Sequence, residues 1–157
     1  MSSENLSIPS ASADQTATLA AVLAPALSPG DVILLKGHVG AGKTHFARAL
    51  IQSILGMAED VPSPTFTLVQ TYPAPDCDIW HADLYRLTSV QEVEELGLVD
   101  AFETDICLVE WPDRLGPLIP EHALTLTVEA GPSDEARMIT ANWTDAKWHN
   151  KINRWKK

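Results

Sequence analysis

Cysteine is scarce in this chain. Cys77 and Cys107 are its two cysteines in 157 residues, too few for a disulfide framework or a metal knuckle, and Cys107 sits in an apolar run where it reads as a small core residue. Long apolar runs are missing too: none approaches the ~20 residues a membrane-spanning helix needs. The Ser-rich start, Met1 to Ala13, has neither the basic opening nor the apolar middle of a signal peptide. A cytoplasmic chain with no membrane partner is expected. Basic residues are few, 11 against 21 acidic, for a formal net charge of −10. Five of those eleven fall between Lys147 and Lys157, where no acid occurs, so every acidic residue lies ahead of Lys147. Such an acidic body argues against nucleic-acid binding over a broad face and suits docking onto a partner.

What the chain does have is one domain's worth of residues and 45% apolar content, enough for a single core. Residues 1–12 are small and polar and are expected to be flexible. A domain is expected over 13–142, followed by a basic, Trp-containing tail over 143–157. Within the domain, Ala13 to Leu27 has helical spacing of Ala and Leu and is ended by Ser28-Pro29-Gly30. Asp31 to Lys36 is a buried-strand run, and Thr44 to Leu55 spaces Phe46, Ala47, Leu50, Ile51 and Leu55 for a helix. Thr65 to Tyr72 and Asp78 to Tyr85 read as a hairpin. Ser89 to Glu92 has capping-box spacing ahead of a short helix over Val90 to Leu96. Asp105 to Pro112 reads as a second buried strand; His122 to Val128 and Arg137 to Ala141 read as an antiparallel pair. Mixing βα units with hairpins predicts a three-layer α/β fold with a mixed sheet flanked by helices.

Between the first strand and its helix lies Gly37-His38-Val39-Gly40-Ala41-Gly42-Lys43-Thr44, which fits G-x-x-x-x-G-K-[ST]. In this phosphate loop (P-loop) glycines let successive backbone N–H groups turn inward around phosphate oxygens. Lys43 is placed for the β- and γ-phosphates and the Thr44 hydroxyl for Mg²⁺. Chemistry beyond binding needs carboxylates for metal and water. Glu110 ends the second buried strand, where a Walker-B acid sits. Asp83 lies among Trp80, Ala82, Leu84 and Tyr85, and its alternative is an ion pair with Arg86. His81 falls on the same strand face as Asp83 and either orients it or the metal's waters, or is a core histidine. Thr65 follows two prolines in the style of a γ-phosphate sensor, and Trp111 is placed to cover nucleotide or partner. His38, His45, His122 and His149 have no metal-ligand spacing.

Four blocks together carry a resemblance: Gly37–Thr44 with His45-Phe46-Ala47-Arg48; Ser63-Pro64-Thr65-Phe66-Thr67-Leu68-Val69; His81-Ala82-Asp83-Leu84-Tyr85-Arg86-Leu87; and Leu108-Val109-Glu110-Trp111-Pro112. The chain resembles the TsaE (YjeE) family of P-loop ATPases over roughly Ala13 to Ala141. The resemblance implies ATP or ADP with Mg²⁺ as ligands and weak intrinsic ATP hydrolysis. It implies docking onto the TsaD and TsaB proteins and a requirement for threonylcarbamoyladenosine (t6A) modification of adenosine 37 in tRNAs reading ANN codons, through nucleotide-dependent cycling of that complex. It implies contact with tRNA through the complex. By the same resemblance, Gly37, Val39, Gly40, Ala41, Gly42, Lys43, Thr44, His45, Thr65, Trp111 and Thr16 are nucleotide contacts, Thr16 toward the base. Lys43, Asp83 and Glu110 are the catalytic set, and Thr44, Asp83 and Glu110 the metal set, with the division between the two acids left open. His38 and Val39 depart from the family's usual G-D-L-G-A-G-K-T, and the segment from Trp143 to Lys157 has no recognised counterpart. The tail is expected to make a salt-sensitive contact with tRNA or with an acidic partner face.

Alternatives are a small-molecule P-loop kinase, a GTP-binding switch and a non-catalytic ATP-dependent assembly protein. The kinase reading lacks clustered arginines, since only Arg48, Arg86, Arg114 and Arg137 lie in the body. The switch reading lacks a guanine-specific N-K-x-D, for which Asn150-Lys151-Ile152-Asn153 misses the acid.

Overall fold

The computed structural model describes residues 3–38, 40–56, 61–62, 64 and 68–156. Val39 and, from the second block, Ser63 and Thr65 to Thr67 therefore lie outside the described residues. Among those described, seven strands form one sheet in the order β1-β7-β6-β2-β5-β4-β3. Its centre is parallel: β2 (Val32–Lys36) runs between β5 (Ile106–Glu110) and β6 (Leu124–Ala130), and β4 (Asp78–Asp83) lies beside β5. The flanks are antiparallel, with β3 (Val69–Pro73) on β4, β7 (Arg137–Trp143) on β6 and β1 (Glu4–Ser10) on β7.

Alternation along the strands divides the core into two layers. Ile33, Leu35, Leu108 and Leu126 face one side, against Leu19 and Leu23 of α1 (Ala13–Leu23), Phe46, Leu50 and Ile51 of α2 (Lys43–Leu55), and Trp148 and Ile152 of α5 (Lys147–Asn153). Val32, Leu34, Cys107 and Val109 face the other, against Val93 of α3 (Val90–Glu95) and Leu98 and Phe102 of α4 (Leu98–Thr104). Both central strands are buried on both faces, which is why they read as continuous apolar runs. The expected mixed three-layer α/β fold is what forms.

Two terminal segments differ from expectation. Glu4 to Ser10, expected to be flexible, forms β1 and pairs along β7 from Glu4–Trp143 to Ser10–Arg137. Its apolar Leu6 and Ile8 pack against the core, and Ser10 at its end is buried. Pro9 is tolerated because the strand lies at the sheet edge. Its partner lies more than 120 residues away, beyond any local signal. The segment expected as a tail is also part of the core. Trp143 closes β7, while Trp148 and Trp155 are buried and donate their indole N–H groups to the carbonyls of His122 at 2.7 Å and Leu19 at 2.9 Å. Trp155 meets Phe46 edge to face at 6.4 Å between ring centres. Lys147 and Lys151 pair with Asp31, which is buried just ahead of β2. Two of the five basic residues of this segment are thus committed within the chain.

Candidate functional site

The loop from Gly37 joins the C-terminal end of β2 to the N-terminus of α2 (strand, turn, helix). Gly37 has φ +149°, and a Cβ there would lie 2.6 Å from the Val128 carbonyl oxygen, so no side chain fits between the loop and β6. Gly42 caps α2 with φ +110°, a conformation that L side chains rarely adopt. Lys43 is the first residue of α2, and its ammonium donates to the carbonyls of Gly37 and, at 3.4 Å, His38. It also stands 3.7 Å from the centre of the Trp111 ring, a cation–π contact. Burial holds Lys43 below its ordinary 10.5, against the opposing charges of Glu110, Asp83 and Asp113.

The acids arrive from the two strands beside the loop. In the parallel register Asp83 at the end of β4 lies beside Glu110 at the end of β5, and Glu110 lies beside Leu35 of β2. Both carboxylates are buried. The Thr44 hydroxyl donates to Glu110, with its oxygens at 2.8 and 3.0 Å. From the opposite side His81 Nε2–H donates to Glu110 Oε2 at 2.7 Å. His81 is fully buried, and its Nδ1 has no hydrogen-bond partner among the described residues. A lone pair at that position costs less than an orphaned N–H, so the tautomer with its proton on Nε2 fits the geometry. His81 thus contacts Glu110 directly. Asp83 Oδ1 accepts the Tyr85 N–H at 3.1 Å.

Trp111 follows Glu110 in the left-handed region at φ 60°, uncommon for a bulky side chain. That turn puts its ring against Lys43 on one side and Tyr85 on the other, 4.8 Å between ring centres. A cavity of about 370 Å³ is lined by Gly40, Gly42, Lys43, Thr44, His45, Asp83, Tyr85, Glu110 and Trp111, within the range of small-molecule sites. A wider cleft of about 860 Å³ adjoins it, bordered by Gly37, His38, Ala41, Trp111, Glu129 and Arg137.

The structure thus brings Gly40, Gly42, Lys43, Thr44, His45, Asp83, Glu110 and Trp111 to one cavity, with Gly37 and Ala41 at the adjoining cleft. Thr16 stands apart. It is buried, its hydroxyl is bonded to Ser10 Oγ at 2.6 Å and the Ser12 carbonyl at 3.2 Å, and it lines neither space. His45 does reach that helix, donating to the Ala13 carbonyl at 2.9 Å. Val39 and Thr65 lie outside the described residues. Two contributors carried no assignment from sequence. Tyr85 lies inside the third block, whereas Arg137, on β7, gave no signal because its loop contact is 96 residues away.

The donor set fits a magnesium nucleotide. Among the described residues no three His, Cys, Asp or Glu side chains converge as a metal cage. Mg²⁺ typically takes one or two carboxylates and completes its shell with phosphate and water, and Thr44 with Glu110 and Asp83 is that kind of set. Arg48, Arg114 and Arg137 do not gather as phosphoryl transfer to a small molecule would want: they donate to the carbonyls of Val61, Tyr85 and Ala41. Among the described residues no helix is long and apolar enough to cross a membrane.

The profile of the family described as "Threonylcarbamoyl adenosine biosynthesis protein TsaE" matches residues 10–139. A Rickettsia conorii protein named tRNA threonylcarbamoyladenosine biosynthesis protein TsaE is 41% identical over 119 residues, 76% of this chain and 68% of that protein. A Bacillus subtilis protein of the same name is 36% identical over 128 residues, 81% and 78% of the two chains. The crystal structure of Bacillus subtilis YdiB is similar with a TM-score of 0.80 at 25% identity, covering 100% of this chain and 99% of that one. That similarity includes the C-terminal segment. With the loop, Asp83, Tyr85, Glu110 and Trp111 all inside the matched region, the chain belongs to the TsaE family.

Proposed function

We propose that this chain binds ATP and ADP with Mg²⁺ at the Gly37–Thr44 loop, hydrolyses ATP slowly, and serves the t6A modification of tRNA by nucleotide-dependent cycling of a TsaD–TsaB complex. The observation that carries this reading is the hydrogen-bonded line Thr44–Glu110–His81 at the mouth of the phosphate loop. When bound, Mg-ATP supplies a phosphoanhydride whose cleavage by water releases free energy, with the cation offsetting charge on the phosphates. The chain's own groups do the rest. Backbone N–H groups at the start of α2, with the Lys43 ammonium, hold phosphate oxygens. Thr44 and Glu110 form the metal side, and their direct contact places them together before any ligand arrives. Asp83, one strand over and lining the same cavity, is left to orient water. His81 keeps the Glu110 carboxylate turned toward Thr44. Trp111 and Tyr85 wall the cavity and limit the entry of solvent, which strengthens electrostatic contacts inside.

An acidic chain of this kind meets tRNA through its partners rather than by its own face. The deciding experiment is the ATPase rate alone, with TsaD–TsaB, and with TsaD–TsaB plus tRNA. Stimulation by the partners is expected. Phosphate transfer to a small molecule, with no response to the partners, would overturn the reading in favour of a kinase; ATP binding without turnover under any condition would favour an assembly protein.

A further inference from the structure

Arg137 opens β7, on the far side of the phosphate loop from Asp83 and Glu110. Its guanidinium serves three backbone carbonyls: Nε donates to Ala41 at 2.7 Å, and Nη1 donates to Asp134 at 2.7 Å and Ala136 at 2.8 Å. The Ala136 carbonyl also accepts the Gly131 N–H at 2.8 Å, which closes the turn between β6 and β7. Gly131 is packed so closely on Ala136 that a Cβ there would lie 2.8 Å from the Ala136 Cβ. One cation therefore ties a tight, well-braced turn to the phosphate loop. A planar fork of fixed donors can do this, whereas a single ammonium cannot reach all three acceptors with good geometry.

The bond to Ala41 has a consequence for its neighbour. A trans peptide is planar, with its C=O and N–H pointing in opposite directions. Drawing the Ala41 carbonyl toward Arg137 turns the Gly42 N–H away from it. Ala41 and Arg137 border the wider cleft, while Gly42 lines the cavity shared with Lys43, Thr44 and Glu110. The N–H is thus directed to the side where phosphate is read to bind. With φ at +110°, Gly42 has no side chain to restrict this peptide, and an outside contact is what holds it.

We propose that Arg137 is a positioning residue of the phosphate loop, fixing the Ala41–Gly42 peptide so that the Gly42 N–H is preset toward a bound phosphate. The proposal rests on the nucleotide reading of the site. Its test is calorimetric titration of ADP with Mg²⁺ into the full-length wild type, Arg137→Met and Arg137→Lys, with thermal unfolding of each protein without nucleotide. Amide hydrogen exchange over residues 40–44 is followed in parallel. Met138→Ala, at an exposed neighbour on β7, controls for general loosening of the strand. Loss of one charge-assisted hydrogen bond predicts ADP binding weaker by about tenfold or more in Arg137→Met, with faster exchange at Gly42 and wild-type affinity in Met138→Ala. A lower melting temperature with unchanged ADP affinity would mean that Arg137 only staples the turn, and would overturn the proposal. If Arg137→Met does not fold, Arg137→Lys decides: an affinity drop of about threefold or more supports the role of the fork, and wild-type affinity refutes it. A wild type that binds no adenine nucleotide would instead remove the reading of the site on which the proposal stands.

Discussion

Replacing Asp31 by Asn keeps the side chain's size and removes its charge, and it tests whether the C-terminal segment belongs to the fold. Asp31 is 1% exposed, with Oδ1 2.9 Å from Lys147 and Oδ2 bound to Lys151, while Oδ2 also accepts the Ser28 N–H at 3.0 Å. In Asp31→Asn the new NH₂ group meets one ammonium, and the other is left with a single neutral carbonyl oxygen as acceptor. Breaking a buried pair costs about 3–5 kcal/mol when the surviving charge stays buried. The lysine side chains are 30% and 17% exposed and can swing partly into water, which lowers the expected loss to about 2–3 kcal/mol. For a chain of this size the melting temperature should fall by about 4–12 °C. Circular dichroism melts and urea unfolding, at low and high salt, measure it. Because the acceptor is buried, high salt applied to the wild type should not reproduce the loss. Nucleotide affinity of the folded variant should be unchanged, since Asp31 and Gly37 flank a five-residue strand on opposite ends, about 20 Å apart at the usual rise per residue. A loss under about 0.5 kcal/mol would match an ordinary surface ion pair and would refute the view that these lysines anchor α5.

Three further outcomes follow from the site and the core. Lys43→Ala should weaken ADP and ATP binding, whereas Glu110→Gln should bind nucleotide and lose most hydrolysis; normal turnover in Glu110→Gln, measured by phosphate release, would remove it from the site. Deleting residues 143–157 takes Trp143, Trp148, Ile152 and Trp155 out of the core, so the truncated chain should fail to unfold cooperatively; a two-state melt near the wild type would show that the segment is dispensable. Lys43 is held below 10.5 by burial in the folded chain, so between its folded value and 10.5 the unfolded chain binds more protons and stability rises with pH. That contribution should be absent from Lys43→Met, and parallel stability–pH curves for the two proteins would contradict it.

The limits of sequence reading show in particular elements. The phosphate loop, both buried strands and the acid after Val109 were legible because each is a local pattern, of apolar run, glycine spacing and terminal carboxylate. Glu110 is expected at the end of the second buried strand, and the register sets it beside Leu35 of the loop strand. His81 was ambiguous, since a buried histidine and an orienting histidine look alike until the partner is known, and its partner Glu110 is 29 residues away. The first strand was missed because Glu4 to Ser10 has two apolar side chains and borrows its ladder from β7.

The sequence by itself determined the chemistry on offer: a loop that can cradle phosphate, a lysine and threonine at its end, two acids, and an acidic body carrying them. Backbone torsions and side-chain pKa ranges are local properties, and so they travel with the residue. Tertiary structure alone decided who meets whom. Parallel pairing of β4 with β5 set Asp83 beside Glu110, and the Thr44–Glu110–His81 line formed because three separate elements end at one point. Arg137 became part of the loop, and three tryptophans of an apparent tail became core. Those contacts join residues from 26 to 136 positions apart, and only the folded chain brings such distant groups within reach of one another.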